Sequence, residues 1–136
     1  PKYRTDVKRN YSIQVAPTRR NHDSTGRIRG DDDVRYFWIF PNLMLNVYAD
    51  NFSTNLILPL GPNRTATLFD WYFPANAGAQ VEETVAFSDE IQLEDIDICE
   101  AVQRGLRSST YDTGRYSPKR ENGVHHFHCL YNEYMR

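Results

Sequence analysis

The stretch IQLEDIDICEAVQRGL, residues 91–106, decides how the rest of the chain is read. Wound at about 100° per residue, it gathers Ile91, Ile98, Cys99, Val102 and Leu106 into one stripe, the signature of an amphipathic helix. Glu94, Asp97, Glu100 and Arg104 take the opposite side, where Glu100 and Arg104 stand at the i, i+4 spacing that lets opposite charges support each other. At the centre of the apolar stripe sits Asp95. A carboxylate withdrawn from water without a partner is costly enough to be neutralised or lost, so an inward-facing Asp95 requires compensation. An arginine or cap from elsewhere in the fold would serve, as would a metal ion. General acid–base chemistry is the third option, although no second carboxylate or histidine is placed by sequence to complete a pair. Spacing does not choose among them.

Upstream of this helix the period is two. VRYFWIF runs to Phe40, LMLNVYA starts at Leu43, TNLILPL at Thr54 and RTATLFDWYF at Arg64. The separators Pro41-Asn42, Asp50-Asn51 and Gly61-Pro62-Asn63 suit the hairpins of an antiparallel meander. YSIQVAP, from Tyr11, reads as a further strand, and PKYRTDVKRN before it reads as a cut end with no element of its own. Residues 18–33 are polar, with Gly26, Gly30 and a triple aspartate, the composition of a long mobile connection. In the last strand Thr67, Phe69, Trp71 and Phe73 share one face and Ala66, Leu68, Asp70 and Tyr72 the other. Both faces carry large apolar groups, so the sheet is covered or curls around something. After PANAGAQ the period becomes 3.6: Ser88 is the predicted N-cap, with Asp89 and Glu90 at the positive end, and the helix runs to about Leu106 or Arg107. A loop punctuated by Gly114, Pro118 and Gly123 leads to VHHFHCLYNEYMR, where Phe127, Leu130, Tyr131 and Tyr134 give a second amphipathic helix. Strands first and helices after define an α+β fold, a curved antiparallel sheet gripping a long helix.

A chain of 136 residues is long enough for one domain with a core. A net charge of −2 and a pI near 6.1 generate no field favouring nucleic acid or an anionic membrane surface. There is no apolar run of membrane-spanning length and no signal-peptide pattern. Cys99 and Cys129 lack CxxC spacing, which places the chain in a reducing, cytoplasmic setting without a disulfide. In HHFH, His125 and His128 share a helical face but lack a matching carboxylate or cysteine, so a packed or surface cluster is expected in place of a dedicated metal site. The rings of Tyr36, Phe37, Trp38, Phe40, Tyr48, Phe69, Trp71, Tyr72 and Phe73 could cage a quaternary ammonium, though aromatics are favoured in any strand. Asn42 reads as a turn former, Asn46 as a polar residue facing a cavity, and Gln103 as a neighbour of Asp95.

EDIDICEAVQRGL followed by YDTGRYSPKRENGVHHFH, with FPNLMLN and STNLILPLGP in order before them, resembles the C-terminal part of the catalytic domain in the large (alpha) subunit of Rieske-type non-haem iron oxygenases. Within that family the sequence is most similar to the choline monooxygenase and glycine betaine demethylase branch. The agreement runs from Tyr36 to Arg136, with a weaker echo at YSIQ. The resemblance implies a helix-grip fold (Bet v 1/START-like), of which residues 1–136 are an incomplete C-terminal portion. It makes Asp95 the carboxylate arm of a facial triad for Fe(II), and Asn46, Phe69, Trp71 and Ile91 substrate contacts. The implied enzyme hydroxylates a small molecule with O2, favouring a quaternary ammonium such as choline or a betaine, with an aromatic ring next. Its electrons come from NAD(P)H through a reductase or ferredoxin and a Rieske 2Fe-2S cluster, and it assembles as a homotrimer. The family's other iron ligands, two histidines four residues apart, and the paired Cys/His segments of the cluster do not occur here; the histidines are His22, His125, His126 and His128. The chain alone is therefore expected to hold no cofactor tightly and to be inactive. A competing reading is a non-catalytic helix-grip module that binds a ligand, with Asp95 salt-bridged.

Overall fold

The structure, a computed structural model, describes residues 3–17 and 33–136. Among them are strands β1 Arg4–Val7, β2 Tyr11–Pro17, β3 Asp33–Ile39, β4 Leu43–Val47, β5 Phe52–Gly61 and β6 Arg64–Tyr72, then helices α1 Gln80–Leu106 and α2 Asn122–Tyr134. The strands form one antiparallel sheet in sequence order, β1 to β6. The architecture is α+β, as the change of period implied. The chain divides into two compact units, Pro1–Tyr72 with Tyr116–Arg136, and Phe73–Arg115. No helix of the described residues is long and apolar enough to cross a membrane.

In the sheet unit the three predicted hairpins form at the predicted separators. Asn42 acts as the turn residue: its Nδ2 donates to the Ile57 carbonyl at 2.8 Å, while its own carbonyl accepts from Ile57 N at 2.9 Å. The connecting peptide Phe40–Pro41 is cis. The start of the chain differs from expectation. Arg4–Val7 is a strand, paired residue for residue with β2 from Arg4 opposite Val15 to Val7 opposite Ser12. So short and charged a segment carries little strand signal of its own; β2 and α2 supply its partners. Asn122 Nδ2 donates to the Thr5 carbonyl at 3.2 Å, and α2 approaches closely enough that a Cβ on Gly123 would lie 3.4 Å from Thr5 Cγ2. The predicted mobile connection of 18–33 lies outside the described residues except for Asp33, which opens β3.

α2 is fastened by aromatic edges and one aliphatic anchor. Trp38 meets Phe127 at 5.3 Å and His126 at 6.0 Å, both edge to face, and Phe40 stacks on Tyr134 at 4.8 Å. Such pairs add to the area they bury because the positive ring edge meets a negative face. Leu130 is buried beneath; the other buried apolar residues among those described are Val34, on the same sheet face as Trp38, and Val15, on the opposite face. His126 Nε2 donates to the Arg9 carbonyl at 3.3 Å and so ties α2 to the β1–β2 turn.

In the second unit α1 begins eight residues before the predicted N-cap: Ser88 lies inside the helix, and Ala79 holds the cap position without a side-chain cap bond. Gly78, at φ 56°, takes the left-handed conformation that turns the chain into the helix. Glu82 and Glu83 in the first turn favour its positive end. Val81, Thr84, Val85 and Ser88 are half-buried at i, i+3, i+4, i+7, a helical stripe hidden from sequence reading by β-branched residues. The later stripe is not buried. Ile91, Ile98, Val102 and Leu106 are exposed, and α1 has no buried residue at all. A single helix cannot bury its own apolar face, and the pattern specifies a face without specifying what covers it. On the outer side Glu100 and Arg104 pair at 3.9 Å as the spacing predicted.

Candidate functional site

Strand register builds one distinctive surface. Residues directly opposite in an antiparallel sheet share a face, so Gln14, Tyr36, Asn46, Ser53 and Trp71 form one row across β2 to β6. Two residues along, Ser12, Trp38, Met44, Asn55 and Phe69 form the next row on the same face. The charged strand residues Arg4, Asp6, Asp33, Arg35, Arg64 and Asp70 all alternate onto the other face. The first face is thus neutral, made of rings, amides and hydroxyls.

Its centre is a buried polar network. Ser53 is 1% and Asn55 8% exposed, and groups so placed need hydrogen-bond partners. Asn46 supplies them: its Nδ2 donates to Ser53 Oγ at 3.1 Å and to Asn55 Oδ1 at 3.3 Å. By register Ser53 stands opposite Trp71 and Asn55 opposite Phe69. Three of the predicted substrate contacts, Asn46, Phe69 and Trp71, therefore belong to one surface. Ser53 and Asn55 were missed, because reading the strand from Thr54 hid the alternation that places both beside Asn46.

The nine candidate cage aromatics do not all lie on that surface. Phe37 and Tyr72 lie on the charged face, where Tyr72 stacks on Phe52 at 4.4 Å. Trp38 and Phe40 are engaged by α2. Tyr36, set edge to face against Tyr48 at 6.1 Å, stays on the neutral face with Phe69 and Trp71.

Asp95 and Ile91 belong to the other unit, on α1. The expected burial of Asp95 is not found: it is exposed, together with the apolar stripe around it, because nothing among the described residues of its unit covers that face of the helix. Its carboxylate has no hydrogen bond or ion pair among the described residues, so no described arginine clasps it, and the nearby Arg104 is paired with Glu100. No group of three His, Cys, Asp or Glu side chains among the described residues could hold a metal ion. The residues present therefore do not fit a complete iron site; Asp95 offers one hard oxygen donor without the nitrogen donors a facial triad needs.

The histidines of α2 are distributed by role. His126 turns inward onto Trp38. His128 Nδ1 pairs with the Tyr116 hydroxyl at 2.8 Å, and the Tyr116 ring also meets His125 edge to face at 5.3 Å. Tyr116 and His125 line a cavity of about 260 Å3 with Ser117, Pro118, Glu121 and Asn122. Cys129, 3.8 Å from His125, and Cys99 are exposed free thiols.

Residues 2–136 match the family profile described as ring hydroxylating alpha subunit (catalytic domain). Chloroplastic choline monooxygenase of Arabidopsis thaliana is 36% identical over 98% of this chain and 32% of its own length. Putrescine 2-hydroxylase of Ralstonia nicotianae is 28% identical over 84% of this chain and 34% of its own. The crystal structure of the quaternary ammonium Rieske monooxygenase CntA in complex with gamma-butyrobetaine superposes with a TM-score of 0.79, covering 98% of this chain and 38% of that one at 22% identity. That likeness shows the fold, the α+β helix-grip class. The chain spans about a third of the length of the curated relatives it matches.

Proposed function

This chain belongs to the ring-hydroxylating alpha-subunit family of catalytic domains, and on that premise we propose that residues 1–136 are the C-terminal portion of a Rieske-type oxygenase domain that hydroxylates a small quaternary ammonium compound. The observation that carries the reading is the neutral face. A tetraalkylammonium has no N–H to donate; ring faces hold it by attraction to their quadrupole and by dispersion with its methyl groups. A primary ammonium carries N–H donors that must find acceptors, preferably carboxylates, once water is stripped away. Tyr36, Phe69 and Trp71 offer rings, and every charged residue of the described strands alternates to the other side. The surface therefore favours the choline type of substrate over the putrescine type.

In this reading Asp95 is the carboxylate ligand of Fe(II), and segments outside residues 1–136 contribute the two nitrogen ligands and the 2Fe-2S cluster. Bound there, iron would supply O2 activation, with electrons from NAD(P)H through a reductase or ferredoxin, in an enzyme that would be trimeric. The residues of this chain bind and orient the substrate: the rings take the cationic head, and the Asn46 network fixes the floor beneath it.

The test is substrate-dependent O2 uptake by the full-length enzyme with its reductase on quaternary amines, primary diamines and aromatic acids. Preferential turnover of a diamine or an aromatic acid would overturn the reading. Trp71→Leu is expected to raise KM for the quaternary substrate roughly 5- to 30-fold, the scale of a desolvated cation–π contact, with kcat little changed. The 136-residue chain by itself is expected to take up Fe(II) only substoichiometrically in an anaerobic titration. Tight stoichiometric uptake would mean that the ligand set lies within these residues.

A further inference from the structure

A run of aromatic rings leads from the neutral face of the sheet to the exposed side of α2. Trp38 starts it, in the same row as Asn55 and Phe69. Its ring meets Phe127 at 5.3 Å, Phe127 meets His128 at 5.4 Å, and His128 meets Tyr116 at 5.6 Å, all separations of rings in contact. The far end is a hydrogen-bonded pair, with the Tyr116 hydroxyl 2.8 Å from His128 Nδ1. A phenol donates, and an imidazole nitrogen without a proton accepts. His128 accepts at Nδ1 when its own proton is on Nε2, which an exposed residue can offer to water. That partner sets Tyr116 apart from its neighbours. Tyr131 and Tyr134 are more exposed, at 51% and 60% against 41%, but their hydroxyls have no hydrogen-bond partner among the described residues. Tyr3 donates to Gln14 Oε1 at 2.7 Å, an amide oxygen too weakly basic to keep a proton.

We propose that Trp38, Phe127, His128 and Tyr116 form an outward path for oxidising equivalents, ending at a tyrosine whose histidine partner makes it the preferred site of one-electron oxidation. A one-electron oxidant derived from O2, of the carbonate- or peroxyl-radical class, takes an electron from the Trp38 indole at the sheet face. Tyr116 returns an electron to the indole across the Phe127 and His128 rings. Loss of that electron turns the phenol into a strong acid, and its proton passes to His128 Nδ1 along the existing bond. The products are intact Trp38, a neutral tyrosyl radical, an imidazolium and the reduced oxidant; one electron has left the protein and no bond between heavy atoms has changed. Without the histidine the proton would have to reach water as the electron leaves, and the indole would keep the damage. The path moves oxidation away from a face carrying Trp38, Phe69 and Trp71 to an exposed side chain that small reductants can reach.

The path needs only an oxidant of this class, whichever reaction produces it, so a test with an external oxidant is independent of the oxygenase reading. The full-length enzyme is exposed to photogenerated carbonate radical, the protein radicals are fixed with a nitroso spin trap, and peptide mass spectrometry locates the adducts and the oxidised indoles. Adducts at Tyr116 are expected to exceed those at Tyr131 and Tyr134 by about 10-fold, the scale of the hydrogen bond to an ionised partner that the proton transfer creates. His128→Phe keeps a ring in the path and removes the base; His128 is exposed, so the packing of α2 is left in place. That variant is expected to bring Tyr116 down to the level of Tyr131 and to raise indole oxidation at Trp38. Phe127→Leu interrupts the rings and keeps the Tyr116–His128 pair, and should raise oxidation at Trp38 while Tyr116 stays the most modified of the three tyrosines. Adducts that simply follow exposure, or a Tyr116 yield unchanged by His128→Phe, would overturn the histidine-assisted tyrosine. Trp38 oxidation unchanged in both variants would overturn the path.

Discussion

Asp95→Ala in the full-length enzyme is expected to abolish turnover and deplete the mononuclear iron without disturbing the fold. The loss should exceed about 100-fold, the upper end of what removing an outer-shell partner of a metal ligand costs. The structure gives the experiment its discriminating power. Asp95 is exposed and has no hydrogen bond or ion pair among the described residues, so a purely structural role predicts almost no effect. Alanine is the better helix former, and the substitution should leave stability within about 0.5 kcal/mol or improve it slightly. Iron content, activity and denaturation midpoint measured on one preparation therefore answer the question. Full iron occupancy and turnover in the variant would remove Asp95 from the site.

Leu130→Ala is expected to be the most damaging single change for stability, about 2–5 kcal/mol in chemical denaturation. Leu130 is 5% exposed and is the only buried residue of α2. Losing its side chain would leave a cavity that the Trp38–Phe127 and Phe40–Tyr134 pairs on either side cannot collapse to fill without breaking their own geometry. Ile98→Ala is the contrast. That residue is 61% exposed, and in the 136-residue chain its truncation should cost no more than about 0.5 kcal/mol. Equal costs for the two changes would mean that the apolar face of α1 is covered in solution.

Much of the molecule is legible in the order of its residues. Alternation in β3 to β6, the separators between them and the spacing of Phe127, Leu130, Tyr131 and Tyr134 are local properties of the chain, and the elements form where they indicate. The Glu100–Arg104 pair is of the same kind, fixed by the pitch of one helix. Features that depend on a distant partner are not legible in this way. β1 is a strand because β2 and α2 accept it. Residues 80–87 are helical although Val81, Thr84 and Val85 have weak helical preference.

The candidate site divides along the same line. Sequence by itself determined that Thr67, Phe69, Trp71 and Phe73 share a side, and that Asp95 is the polar member of an apolar stripe, since both follow from the repeat of a single element. Only the tertiary structure decided that Asn46 meets Ser53 and Asn55, that Trp71 and Phe69 stand opposite them, and that every charged residue of the described strands lies on the other face. Cross-strand register is a relation between segments far apart in the chain, and a shift of one residue would have turned each of those side chains to the opposite face. Burial is relational too: the stripe on α1 names the side that seeks cover, and its exposure reflects the neighbours present, which no periodicity within the helix encodes.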